Sequence, residues 1–284
     1  MKYGKFLLAL FVVSIFSGFT NPDPSGERKA EKKKKVTKVW LIGDSTVADY
    51  SLDPDYMKKK YPMKGWGQVL QPFLSSDSLK LVSQLIKADS AFVVNKAMPG
   101  RSTRSFFEES RWSEVYNLLG PGDIVMIQFG HNDASVAKGE RYTGIPGFKE
   151  FLRLYVNQTR QKGAIPILIT PVARNYPWEE GKLKNTHGDY PEAMRSVAQE
   201  LNVCLIDLGE LSMAFFSSKG QEYSTYKYFM NIDSGKYEAY PAGSKDNTHF
   251  QPEGAIAVAT LVFNEMKKLT VPDIDQAGDR KKSK

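Results

Sequence analysis

Only one of the 284 residues is a cysteine, Cys204, so no intrachain disulfide can form, and no cysteine stands near the chain start to carry a lipid. Histidine is nearly as scarce: His131, His187 and His249 are the only three, and no two are spaced as His-x-x-x-His. That spacing puts two imidazoles on one helix face for zinc, so its absence argues against a metal hydrolase, and neither a metal nor a cofactor is expected. Long apolar runs are missing too. The apolar stretch at residues 6–16 falls well short of the roughly 20 residues that cross a bilayer, so no stable membrane anchor is expected. Preceded by Lys2 and Lys5 and followed by Ser17, Gly18 and Thr20, it has the form of a secretory signal peptide over residues 1–20. Export without disulfides suggests a bacterial periplasm or exterior.

The folded body also lacks net charge. The formal charge is +7, but Lys2, Lys5, a surplus of four in residues 22–38 and of one in residues 273–284 account for all of it, leaving residues 39–272 balanced. A surface that reads nucleic acid needs its basic patch on the body, so nucleic acid is excluded as a partner. Residues 21–38, Lys-rich and with Pro22, Pro24 and Gly26, read as a solvated linker. Residues 271–284 read as a charged tail, and residues 39–270 as one catalytic domain, monomeric by default. There is no internal repeat.

Within that domain, short apolar runs end in polar clusters. Residues 39–42 (Val-Trp-Leu-Ile) run into Gly43-Asp44-Ser45-Thr46; residues 91–95 into a cluster from Asn95 to Ser105; residues 123–129 into Gly130-His131-Asn132-Asp133; residues 164–169 into Thr170-Pro171; residues 203–206 form a fifth run. Such runs are buried parallel strands, and ligands bind at their carboxyl ends. Helical spacing is read at residues 65–74 (Trp66, Val69, Leu70, Phe73), more weakly at 79–88, at 106–119, around Phe148, Phe151, Leu152, Tyr155 and Val156, at 191–201 with Asp189 as cap, and at 252–269 with Ile256, Ala259, Leu261, Val262 and Met266 inward. Strands alternating with helices give a parallel sheet covered on both faces. Residues 213–240, rich in Tyr, Ser and Phe without a clear period, read as a surface excursion over the sheet edge. Cys204 reads as core filler.

Ser45 stands where a strand stops abruptly, and a serine nucleophile needs a base and an acceptor that orients the base. Gly-Asp-Ser alone arises by chance in about one chain in ten of this length, and a strand, a turn and a helix cap would explain it equally well. Far downstream, Asp246 and His249 stand three apart at a loop-to-helix junction and can meet in a single turn. For Asp-x-x-His alone a capping turn remains the alternative; together with Ser45 the pair supplies the missing groups.

Gly43-Asp44-Ser45, Gly100, Gly130-x-Asn132-Asp133 and Asp246-x-x-His249, in that order, resemble the four blocks of the SGNH (GDSL-type) hydrolases. The resemblance implies a flavodoxin-like α/β/α sandwich around a five-stranded parallel sheet. It also implies Ser45 as nucleophile, His249 as base, Asp246 as its orienter, and an oxyanion hole from the N–H groups of Ser45 and Gly100 and the amide of Asn132. Asp133 is expected to brace its loop. Asn95-x-Ala97-x-x-Gly100-Arg101-Ser102-x-Arg104-Ser105, Phe129-Gly130-His131-Asn132-Asp133 and Thr186-His187-Gly188-Asp189-Tyr190 further resemble rhamnogalacturonan acetylesterases, carbohydrate esterase family twelve. That implies an acetylated, galacturonate-bearing polysaccharide as substrate; Arg101 and Arg174, which stand in loops after strand ends where the cleft is expected, are candidate contacts for its charge together with His187, and Arg104 is either contact or brace. The alternatives are an SGNH esterase of another class, such as an acetylxylan esterase, lipase or thioesterase, or a non-catalytic carbohydrate-binding domain using Trp178 and the tyrosines of residues 223–240.

Overall fold

The computed structural model describes residues 34–271. The expected signal peptide, most of the linker and nearly all of the C-terminal tail lie outside the described residues. The linker's last three residues already belong to strand β1 (Val36–Gly43), where Val36 pairs with Ser90 of β2 (Ser90–Asn95).

Strands β1, β2, β3 (Ile124–Gln128) and β4 (Ile165–Ile169) belong to the main sheet, and after a two-stranded hairpin, β5 (Trp178–Glu179) and β6 (Lys182–Leu183), comes its fifth strand, β7 (Cys204–Ile206). The five-stranded sheet runs β2-β1-β3-β4-β7 with every neighbour parallel. This is the flavodoxin-like order, in which the chain winds away from β1 in both directions and leaves a crevice beyond the ends of β1 and β3. Ser45 follows β1 and Asn132 follows β3, so the strand order itself brings those two clusters side by side.

Alternation along the strands loads both faces. Val39 and Leu41, with Ile124, Met126, Ile167 and Ile169, face one core; Trp40, Ile42, Val125, Ile127 and Leu168 face the other. Over the second face pack helices α3 (Thr103–Glu108), α4 (Arg111–Leu118), α5 (Ile145–Gln161) and α6 (Tyr190–Glu200), which follow two short helices, α1 (Tyr56–Lys59) and α2 (Ser76–Leu79). The stripe of α5, with Phe148, Leu152, Tyr155 and Val156 buried, lies where its spacing puts it. Opposite lie α7 (Leu208–Lys219) and α9 (Pro252–Met266).

Several expectations give way. Residues 66–74 form two 3-10 turns, Trp66–Val69 and Gln71–Leu74, because Pro72 offers no N–H to a longer ladder and Trp66 is held to the Ser45 turn, its N–H donating to the Thr46 carbonyl at 2.9 Å. Residues 79–88 contribute only the end of α2 and a 3-10 turn at Lys80–Val82. The helix expected over 106–119 starts earlier, at a capping box between Ser102 and Ser105, and breaks at Ser110, whose φ of 59° redirects the chain into α4. Asp189 occupies the N-cap of α6 without a side-chain cap bond. Ile256 is 48% exposed, outside the core stripe of α9. Residues 213–240 are an integral part of the fold: they complete α7, form α8 (Gln221–Lys227) and β8 (Phe229–Ile232), and bury Phe216, Phe229 and Met230. β8 pairs antiparallel with β9 (Ser244–Phe250), so Asp246 and His249 sit in a strand that leads directly into α9.

Candidate active site

Ser45 is the one residue between Val39 and Ala48 that is not buried. Its turn is fixed from below. The Asp44 carboxylate Oδ1 accepts the Thr46 N–H at 2.9 Å and the Thr46 hydroxyl at 2.8 Å. That hydroxyl accepts from Gln128 Nε2 at 2.7 Å, and Gln128 Oε1 in turn accepts the Trp66 indole N–H at 2.9 Å. Tyr50 donates its hydroxyl to the Ser45 carbonyl at 3.0 Å, and burial raises the phenol's pKa, keeping it a donor. Gly43 is required at this spot: a Cβ there would lie 2.6 Å from the Gln128 carbonyl oxygen and 2.9 Å from Val47 Cγ2. The effect is a turn locked against β3 with a single hydroxyl at its tip.

The Asp246–His249 pair is held from the β8 side. Asp246 Oδ1 accepts the N–H groups of Thr248 (2.8 Å) and His249 (3.1 Å), an Asx turn that brings the imidazole back onto the carboxylate, where Nδ1 lies 2.7 Å from Oδ2. Asn231 Nδ2 donates to the Asp246 carbonyl at 3.1 Å. Burial works against ionisation of Asp246, but the bonds from His249 and Thr248 outweigh it and hold its pKa below the ordinary value. An ionised carboxylate only accepts, so in the neutral imidazole the proton sits on Nδ1 and the lone pair on Nε2.

Ser45, Gly100, Asn132, Asp246 and His249 line one cavity of about 1290 Å³. Gly100 has φ of 82°, left-handed backbone that favours glycine. Neither its N–H nor that of Ser45 has a hydrogen-bond partner among the described residues. Asn132 donates one amide hydrogen to the Arg101 carbonyl at 2.9 Å and accepts from Arg141 Nη1 at 3.0 Å, so its second amide hydrogen is uncommitted. The three residues that carry these uncommitted donors, Ser45, Gly100 and Asn132, all line the same cavity. Asp133 ties these segments together: Oδ1 accepts the Thr103 N–H at 2.9 Å and its hydroxyl at 2.6 Å, and Oδ2 the Gly130 N–H at 3.1 Å.

Burial dominates the electrostatics beneath the cavity. Desolvation pushes Asp44 up to about 6 and Asp133 up to about 7, against the hydrogen bonds that each accepts. It pulls His187 down to about 3 and His131 well below its ordinary value, so both imidazoles are neutral.

The candidate substrate contacts divide. Arg174 lines the cavity, but its Nε lies 3.3 Å from His131 Nδ1, Nη2 donates to the His131 carbonyl at 3.2 Å and Nη1 to the Tyr176 hydroxyl at 2.9 Å. It therefore braces the Asn132 loop while one N–H on each terminal nitrogen stays uncommitted. Arg101 is not a lining residue: its Nε donates to the Glu109 carboxylate and its Nη1 to the Pro99 carbonyl, which turn the guanidinium towards α3. Arg104 reaches Glu108 and the Gly139 carbonyl and acts as a brace. His187 is 3% exposed and lies under His131, its Nε2 3.0 Å from His131 Nδ1, so it supports the wall and does not reach substrate. Trp178 packs on the core and donates to Asn175, a structural role. Arg141 escapes sequence reading, because it stands in a loop with no motif spacing to mark it. No cluster of three or more His, Cys, Asp or Glu side chains suited to a metal ion occurs among the described residues.

Residues 39–262 match the family described as GDSL-like Lipase/Acylhydrolase. The chain is 39% identical over 235 residues to the probable rhamnogalacturonan acetylesterase YesY of Bacillus subtilis, covering 82% of this chain and 94% of that one. It is 36% identical over 239 residues to the rhamnogalacturonan acetylesterase RhgT of the same organism, covering 84% and 93%. Among solved structures it resembles the YXIM protein of B. subtilis, with a TM-score of 0.66 and 28% identity over 83% of this chain and 57% of that one. The fold is shared with Axe2, an acetylxylan esterase of Geobacillus stearothermophilus, at a TM-score of 0.52 and 20% identity, over 81% of this chain and 94% of that one. With a flavodoxin-like sheet and the four sequence blocks gathered at one cavity, the chain belongs to the GDSL-like lipase/acylhydrolase family and is an esterase.

Proposed function

We propose that the protein is an exported serine esterase that removes acetyl groups from an acetylated, galacturonate-containing polysaccharide of the rhamnogalacturonan type. The observation that carries the chemistry is the convergence of Ser45, the Asp246–His249 pair and three uncommitted donors on one cavity. His249 Nε2 takes the Ser45 hydroxyl proton as Oγ bonds to the acetyl carbonyl carbon. The oxyanion so formed is held by the N–H groups of Ser45 and Gly100 and the free amide hydrogen of Asn132. Preorganised donors of this kind each contribute about a hundredfold to a thousandfold in rate. The ester C–O bond then breaks, and the sugar oxygen leaves with the proton from His249. Water repeats the sequence on the acetyl-Ser45 ester: His249 takes its proton, acetate departs, and the serine recovers its hydrogen. Asp246 fixes the tautomer of His249 and stabilises the imidazolium in both halves.

Similarity to the two named acetylesterases over more than four-fifths of the chain supports the substrate class. The cavity is far larger than an acetyl group needs, and Lys96, Lys138 and Arg174 on its lining suit an acidic glycan, although Asp49, Asp53 and Glu114 share the rim. The hydrophobic leader behind Lys2 and Lys5 supports export. Because Arg174 also braces the Asn132 loop, its removal would affect every ester, and wild-type protein gives the cleaner test. Acetate release should be faster from acetylated rhamnogalacturonan than from acetylated xylan, and only the former should slow as salt shortens the screening length from about 10 Å at 0.1 M to about 3 Å at 1 M. Equal rates on both polymers, insensitive to salt, would leave an esterase with a different substrate.

A further inference from the structure

An asparagine amide can turn end for end with almost no change in shape, yet only its NH2 end can stabilise an oxyanion. In this site both ends are specified. Asn132 Nδ2 meets the Arg101 carbonyl at 2.9 Å, and Oδ1 meets Arg141 Nη1 at 3.0 Å. A carbonyl cannot donate and a guanidinium cannot accept, so a flipped amide would set two acceptors against each other at Arg101 and two donors at Arg141.

Arg141 is itself held in place. Its loop closes back on the Asn132 loop through the Thr143 N–H to the Asp133 carbonyl at 3.1 Å, and the buried Tyr190 hydroxyl sits between both ends, its single hydrogen shared by the carbonyls of Asp133 (3.0 Å) and Thr143 (2.8 Å). Nη1 would also lie 3.5 Å from a Cβ added to Gly100, so one nitrogen sits over both Asn132 and Gly100. Glu140 meets the guanidinium only at Nε, 3.3 Å away, leaving the Nη1 edge to Asn132.

We propose that Arg141 is a positioning residue for catalysis: it fixes the amide of Asn132 with a donor towards the acyl oxygen and, by bonding Oδ1 as a cation, polarises that amide into a stronger donor. This rests on the reading of Asn132 as an oxyanion donor. The test is a double-mutant cycle on p-nitrophenyl acetate, a neutral substrate that keeps glycan recognition out of the measurement. Asn132→Ala should lower kcat by about a hundredfold to a thousandfold. Arg141→Met should lower kcat by about tenfold or more with KM nearly unchanged, since the misdirected amide would fail as a donor only in the transition state. In the double variant the Arg141→Met loss should vanish, giving the rate of Asn132→Ala to within about twofold, because the arginine acts through the amide. Should Arg141→Met fail to fold, Arg141→Lys serves the same cycle: it keeps the charge without the planar fork, and its loss too must vanish beside Asn132→Ala. Losses that multiply, or full kcat in the Arg141 variant, would overturn the role of Arg141. Full kcat in Asn132→Ala would instead overturn the oxyanion reading beneath it.

Discussion

Replacing Asp44 by Asn should change how the protein's stability depends on pH. The carboxyl is fully buried next to Ser45; Oδ1 accepts two bonds from Thr46, while Oδ2 has no partner among the described residues. Desolvation raises its pKa from 3.8 to about 6. At about 1.4 kcal/mol per pH unit, that lift corresponds to about 3 kcal/mol. The sign follows from proton linkage. Below 3.8 the group is protonated in both states and imposes no penalty. Between 3.8 and about 6 the folded state holds a proton that the unfolded chain has lost, so stability falls as pH rises; above that range both forms are ionised and the full penalty persists. In Asp44→Asn the amide oxygen keeps both Thr46 bonds and nothing titrates, although its NH2 adds a pH-independent cost as an unpaired donor. The stability of the variant relative to wild type should therefore improve by about 3 kcal/mol between pH 3.5 and pH 7, a relative gain in Tm of about 6–12 °C for a domain of this size. Urea unfolding of both proteins at closely spaced pH values measures it. A difference that stays constant across the range would refute a buried, lifted carboxyl at position 44.

His187 gives the opposite slope. Burial lowers its pKa from 6.5 to about 3, so its contribution is complete above 6.5 and is lost as pH falls towards 3; the stability gap between wild type and His187→Phe should narrow as pH drops from 7 to 4, and a constant gap in unfolding titrations would count against a neutral buried imidazole there. Asp246→Asn should keep the fold but lower kcat by about ten-thousandfold, since an amide facing His249 Nδ1 favours the wrong tautomer; steady-state kinetics within tenfold of wild type would show that Asp246 does not orient the base.

The sheet was legible because its inner strands β1, β3 and β4 are largely buried on both faces and so appear as short apolar runs, each cut off by a polar cluster; the edge strand β2, expected to be buried, carries a similar run although Phe92 is 54% exposed. The order of β1 and β3 around the crevice then joined Ser45 to Asn132. β9 was hidden because Ser244–Phe250 is polar nearly throughout; what makes it a strand is its pairing with β8, a long-range partner that local composition does not reveal. α7 showed no stripe for a related reason. Leu208 and Phe216 are buried, and Leu211, Met213 and Phe215 pack on the same core, so apolar residues occupy most of the helix circumference. Trp66, Val69, Leu70 and Phe73 have helical spacing, which two 3-10 turns satisfy equally well. At the site, the residues in motifs were visible and those that act through loop contacts were not. Arg141 reaches Asn132 through space, and Arg101 contributes its carbonyl where its charge was the expected feature.

The esterase mechanism proposed for this site requires Ser45 as the nucleophile, poised by the Asp44 turn and served by His249. Treating the protein with a fluorophosphonate and mapping the adduct by peptide mass spectrometry tests it directly. One modification is expected, on Ser45, lost in Ser45→Ala together with acetate release and strongly slowed in His249→Ala. Modification at another serine, or full esterase activity in Ser45→Ala, would contradict it.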